Sequence, residues 1–174
     1  SSVKNVILSD ARIKSTNSYC GGIVGYSNES SVTNCWVKSN VCIGGRIYVG
    51  GISGYFFGNT LSGCRSEATL TASSSTINSV GGISGFMNAK ANVKHCIVDG
   101  ATIPRASSYY GAVVGRLWSG TLTNNYYTNC SVAGVADATN VGCNEDDKLA
   151  DRDGARHAVS ISAASNAVIT PTGT

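Results

Sequence analysis

The sequence predicts an all-β chain wound as a short parallel β-solenoid, a β-helix of about four to five coils of roughly 30 residues each, with an irregular C-terminal cap. Two repeated motifs and the composition carry this reading. The first motif is Gly21-Gly22-Ile23-Val24-Gly25-Tyr26, which returns as Gly50 to Tyr55, Gly81 to Phe86 and Gly111 to Arg116, at spacings of 29, 31 and 30. The second follows each first motif: Val32-Thr33-Asn34-Cys35-Trp36-Val37, then Leu61 to Ser66, Val93 to Val98 and Leu122 to Tyr127, with an extra copy opening the chain as Val3 to Leu8. The composition is poor in helix formers and rich in Ser, Thr, Asn, Val and glycine, with 21 glycines and only 2 prolines, as short strands and many turns require.

One period is too short to bury its own apolar face. Stacked coils bury a continuous core and satisfy the backbone through parallel ladders, giving a prism roughly 20–25 Å tall at the usual inter-strand spacing. A third, looser apolar stretch follows the second motif, so each period is expected to hold three short strands. Ile23, Ile52, Ile83 and Val113 are expected to form an inward aliphatic ladder, and Val6, Cys35, Cys64 and Cys96 a second inward column that Asn125 continues. Gly25, Gly54, Gly85 and Gly115 mark turns or close approaches between coils. Tyr26, Tyr55 and Phe86 line up as an aromatic column that Arg116 ends.

The chain divides into repeats over 1–136 and a cap or tail over 137–174, where the period is lost. Residues Asn144 to Asp151 suit one or two helical turns, and Val159 to Ile161 and Ala167 to Ile169 suit short strands. The tail's simplest role is to cover the open edge of the last coil. The start falls inside a repeat with no Met and no signal peptide, which favours a piece of a longer protein over a mature product.

Charge narrows the function. Through Ala136 there are ten basic and four acidic side chains, and from Asp137 three basic and six acidic. So sparse a positive charge is a poor footprint for nucleic acid, and no nucleic-acid partner is expected. No apolar run approaches the ~20 residues of a membrane-crossing helix, so no membrane span is expected.

The paired motifs resemble the GLUG-motif repeats of bacterial cell-surface and adhesin-like proteins, over roughly residues 3–135. The fourth copy departs from the pattern, with Ala112, Arg116 and Asn125 where glycine, an aromatic ring and cysteine stand elsewhere. The resemblance implies a repeat module on the bacterial exterior, secreted or at the cell surface, in adhesin-like chains or as an accessory region of an extracellular protease. It implies no catalytic residues.

Candidate chemistry is thin. Seven cysteines occur without a Cys-x-x-Cys pair, which argues against structural zinc. Cys130 and Cys143 flank the irregular segment and are the candidate disulfide. Asp146, Asp147, Asp151 and Asp153 lack calcium-loop spacing, because Leu149 stands where the first ligand belongs. No metal or cofactor is therefore expected. His95 is placed on a strand facing away from Cys96, no Gly-x-Ser-x-Gly elbow occurs, and no two body carboxylates pair, so an enzyme is not expected. A Thr33, Ser62, Lys94, Thr123 column suggests an ice-binding ladder that Lys94 spoils. The binding candidates are aromatic: Trp36, Trp118, Tyr109, Tyr110, Tyr126 and Tyr127, because flat rings suit glycan or protein contacts. The leading expectation is a noncatalytic adhesive or stalk module whose partner is a host or matrix glycan or protein. The alternatives are a subunit stacking end to end with its own copies into an extracellular filament, and an accessory segment of a secreted enzyme.

Overall fold

A computed structural model describes residues 1–72, 78–145, 148–151 and 154–158. The repeats wind into a parallel β-solenoid of about five turns, in which each of the first four coils lays one strand on each of five faces. The first coil shows the pattern: Ser2–Lys4, Ile7–Leu8, Arg12–Lys14, Tyr19–Gly21 and Val24–Asn28 occupy faces one to five in order. Each period thus holds five strands where three were expected. The first motif supplies two of them, because the chain bends between its glycines and leaves as a second strand.

Register is one residue to one residue between coils. On face one Val3, Val32, Leu61, Val93 and Leu122 pair in sequence. On face three the inward column is Ile13, Ile43 and Leu70, and Ile103 pairs on to Val132. Ile52, Ile83 and Val113 are wholly buried, and the Ile23, Ile52 and Ile83 amides each donate to the carbonyl of the next residue of that column, 2.9–3.1 Å away. Cys35, Cys64 and Cys96 are buried one above another, while Val6, in register with Cys35, is 39% exposed. In the fifth coil Asn125 replaces the thiol: its side chain accepts from the Cys96 amide at 3.0 Å and donates to the Val93 and Gly154 carbonyls at 2.8 and 2.7 Å. A buried amide is tolerated there because both of its polar atoms are bonded.

Corners are made by left-handed residues. Between faces one and two stand Asn5, Asn34, Gly63, His95 and Asn124, with φ of 59°, 53°, 61°, 54° and 51°. Asparagine and glycine are the residues that take this conformation with least strain. His95 is therefore a corner residue and not part of a strand.

The tail departs from expectation in kind. Val113 and Gly142 remain in register, Val114 pairs with Cys143, and Asn125, Tyr126 and Tyr127 pair with Ala155, Arg156 and His157. The ladders therefore run past residue 136, and the coil period survives where the motif has vanished. The helical turns expected from Asn144 to Asp151 are instead an antiparallel pair of strands, Cys143–Glu145 with Lys148–Ala150. An isolated helix this short is marginal, whereas the edge of the fourth coil offers a ladder for Cys143–Glu145 to join. Val135–Ala136 likewise folds back antiparallel on Ser131–Val132. The strands expected at Val159 to Ile161 and Ala167 to Ile169 lie outside the described residues, as do Asp146, Asp147 and Asp153.

The glycines of the first motif serve a close approach. Gly54 lies where a Cβ would sit 2.5 Å from the Cys20 amide nitrogen and 2.7 Å from the Gly25 carbonyl oxygen, and one at Gly85 would sit 2.7 Å from the Val49 amide nitrogen. Face four and face five thus meet almost backbone to backbone along a seam that admits a side chain no larger than the Ser79 hydroxyl, which donates to the Gly85 carbonyl at 2.5 Å. Gly54→Ala should cost about 3 kcal/mol or more, the upper end for overpacking, because the obstructing atoms are backbone. Gly100 has open space around it and φ of 66°, so Gly100→Ala should cost only about 1 kcal/mol of left-handed strain. Urea midpoints of the two variants check this; equal shifts would remove the seam from the account.

Candidate functional site

The seam sets two outward columns side by side. Face four contributes Tyr19, Tyr48, Ser79 and Tyr109, which pair coil to coil, and face five contributes Tyr26, Tyr55, Phe86 and Arg116. Across the seam the rings touch: Tyr19 and Tyr55 have centroids 5.3 Å apart, Tyr48 and Tyr55 5.6 Å, and Tyr48 and Phe86 4.9 Å. Along the axis they also touch, with Tyr19 to Tyr48 at 5.7 Å and 9° between planes, and Tyr55 to Phe86 at 4.9 Å and 22°. The result is one aromatic strip running down the outside of the solenoid.

Stacking coil on coil covers ring faces, so the strip shows solvent mainly edges and phenol groups. Tyr19 and Tyr26, in the first coil, are the most open tyrosines of the strip. At the other end Arg116 replaces the ring. Its guanidinium carbon lies 4.1 Å from the Tyr109 ring, 4.5 Å from Trp118 and 5.6 Å from Phe86. Trp118 itself is 62% exposed. Burial pushes the Tyr48 phenol above its ordinary pKa, and the positive charge of Arg116 opposes the shift. The Tyr55 hydroxyl sits 3.3 Å from the Asn88 amide nitrogen, and Ser119 donates to Asn88 at 3.2 Å.

Of the six aromatic candidates from sequence, the strip gathers Tyr109 and Trp118. Trp36 belongs to face two, where Lys38 lies 4.7 Å and Arg65 5.2 Å from its ring. Arg65 is held in turn by Glu67 and Asp99, each at 2.7 Å. Tyr126 is on the outside of the same face and lines a shallow cavity of about 290 Å³ with Asn124, Gly154 and Arg156. Tyr110 points inward on face four, in the column of Cys20, Val49 and Val80, and is half-buried. Tyr127 is wholly buried, so it is not a binding residue. Its hydroxyl donates to Asp151 at 2.5 Å and accepts from the Val141 amide at 3.1 Å, and Asp151 also accepts from the amides of Gly142 and His157. Burial, then this bond to Asp151, raises the phenol's pKa strongly. The cluster pins the last coil to the body. Beside it Asp137, hydrogen-bonded by His157 at 3.0 Å, is held below its ordinary pKa by that bond.

Sequence reading missed Tyr19 and Tyr48. The signal was present, because Tyr19, Tyr48, Ser79 and Tyr109 each stand two residues before the first position of the glycine motif. The Thr33, Ser62, Lys94 and Thr123 column does form on face one, with Lys4 above it. Comparison with protein-family models, curated proteins and solved structures gives no match.

The structure does not join Cys130 and Cys143, the pair expected to form a disulfide. Cys130 is buried with its thiol against the Thr128 and Val98 carbonyls, at 3.1 and 3.6 Å, while Cys143 starts the strand that joins face five. The two lie on different faces. Burial pushes the Cys130 thiol up to about 11. The hydrogen bond with Cys64, then burial, raises Cys35 further. Cys42, outward on face three, is the one cysteine that is not buried. Thiolate is the reactive form, so iodoacetamide at pH 8 should label native protein at Cys42 alone, and all seven after denaturation. Peptide mapping that found Cys35, Cys64 or Cys96 labelled at the rate of Cys42 would contradict the inward column.

Proposed function

We propose that this chain is a noncatalytic extracellular repeat module of a bacterial surface protein, which presents the aromatic strip as an adhesive surface on a stiff support. The observation that carries the reading is the strip itself: side chains from four successive coils brought into one line, with Tyr19, Tyr26 and Trp118 exposed and Phe86 and Ser79 buried among them. Aromatic side chains are costly to leave in water and are enriched where proteins bind. Ladders on five faces fix the strip's shape in advance, so little ordering is lost on contact. The resemblance to GLUG-motif repeats supports an exterior location, and the glycine and cysteine columns that make up that resemblance are the ones that build the seam and the core.

A second reading is end-to-end assembly. It is favoured by the apolar and aromatic side chains exposed on the first coil, Val6, Ile7, Tyr19 and Tyr26, since parallel coils can add further strands in register. The antiparallel strands on faces three and five at the opposite end work against it, since they interrupt the parallel register another subunit would have to continue.

Binding of the purified, labelled chain to arrayed glycans and matrix proteins tests the first reading. The variant carrying Tyr19→Ser, Tyr48→Ser and Trp118→Ala should lose at least tenfold in affinity while keeping its β-sheet circular dichroism. Retained binding by that variant would place adhesion on another face. Light scattering separates the second reading: fibres of growing mass support assembly, and a monomer at high concentration rules it out.

A further inference from the structure

Arg116 stands where the face-five column would carry a fourth ring. Two rings pack against its guanidinium at 4.1 and 4.5 Å, and a third lies at 5.6 Å. Such packing favours the charge and fixes the side chain, so that less freedom is lost when its N–H groups bond. Among the described residues no carboxylate pairs with Arg116. Arg65 makes the contrast: it also packs on a ring, yet both Glu67 and Asp99 hold it. A guanidinium clamped by rings and without a paired carboxylate among the described residues is a recognition group for an external anion.

Two neighbours narrow the ligand. Trp118 is 62% exposed and offers a wide apolar surface beside the charge. Above Arg116 the strip carries the buried Phe86 one coil away and the phenols of Tyr55 and Tyr48 two coils away; each coil advances about 4.8 Å along the axis at the usual inter-strand spacing, close to the length of one pyranose unit in an extended chain.

Resting on the adhesive reading above, we infer that the strip binds carboxylated glycan, with Arg116 taking the carboxylate of an acidic sugar through its N–H fork and Trp118 packing on that sugar's apolar face. Further units of the same chain run along the axis past Phe86 to Tyr55 and Tyr48, two coils away. Guanidinium and carboxylate bond in a paired, planar geometry that an ammonium does not reproduce.

The test uses the whole chain with three acidic probes, hexagalacturonate, a hyaluronate hexamer and sialyllactose, each beside its neutral methyl ester, and with oligoglutamate of matched charge. Affinity is read by calorimetry and by Trp118 fluorescence. At least one acidic saccharide should bind tenfold or more tightly than its ester and than oligoglutamate. Arg116→Gln should erase that preference, Arg116→Lys should restore only part of it, and Trp118→Ala should weaken acid and ester alike. Saccharides bound equally as acid and ester, with Arg116→Gln silent, would overturn the inference and leave the adhesive reading standing. Oligoglutamate bound as tightly as the saccharides would overturn it in favour of an acidic peptide. No binding of any saccharide, acidic or neutral, would overturn the inference and its glycan premise together.

Discussion

Everything in this molecule depends on how closely the face-five strand of one coil approaches the face-four strand of the coil before it. Faces four and five lie backbone against backbone, and the glycine columns are the chemical condition for it. A Cβ at Gly54, Gly85 or Gly115 would fall 2.5–2.7 Å from main-chain or Ser79 atoms across the seam. Because nothing larger than the Ser79 hydroxyl fits between the strands, the rings next to them are driven outward into contact with one another. The glycine motif is therefore a structural requirement that leaves a functional surface as its consequence: the two aromatic columns meet because the seam is bare.

The remaining faces are held by more ordinary means. Inward columns of Val, Leu and Ile bury their methyl groups against the same column one coil away, and each coil's amides are bonded to the next coil's carbonyls. Cysteine serves in the column of Cys35, Cys64 and Cys96 as a small apolar filler. Where the fifth coil must close the stack, the chain changes chemistry. Asn125 bonds across the column to Gly154, and the buried Tyr127–Asp151 pair ties the returning tail to the body. The end of the solenoid is thus fastened with hydrogen bonds where its middle is fastened with apolar contact.

How far the sequence disclosed this follows from what repeats. The coil length, the Ile52, Ile83, Val113 ladder, the cysteine column and the Tyr26, Tyr55, Phe86 column were legible, because in-register stacking imposes one residue type on one position every 29 to 32 residues. The five faces were not, since a bend inside Gly21-Gly22-Ile23 leaves no break in the apolar pattern. The tail was misread because its strands are recruited by ladders already present. Gly142 and Cys143 keep the register of Val113 and Val114 without resembling them. Tyr109 lies on the strip and Tyr127 in the core for the same reason: neighbouring residues on a strand point to opposite faces, and Tyr126-Tyr127 gives no hint which ring goes inside. Whether an aromatic ring is free depends on the coil above it, which a single motif does not reveal.

The central claim is that the bare seam aligns two columns into one continuous strip, coil on coil. The most direct measurement is a ring-to-ring nuclear Overhauser experiment on protein labelled at tyrosine and phenylalanine. The account predicts cross-peaks from the Tyr19 ring to Tyr48 and Tyr55, and from Phe86 to both Tyr48 and Tyr55, residues some 30 to 40 positions apart in sequence whose centroids lie within 4.9–5.7 Å. A spectrum in which Tyr19 contacts only Tyr26, and Tyr48 only Tyr55, would contradict it, because each coil's rings would then pair without stacking on the next.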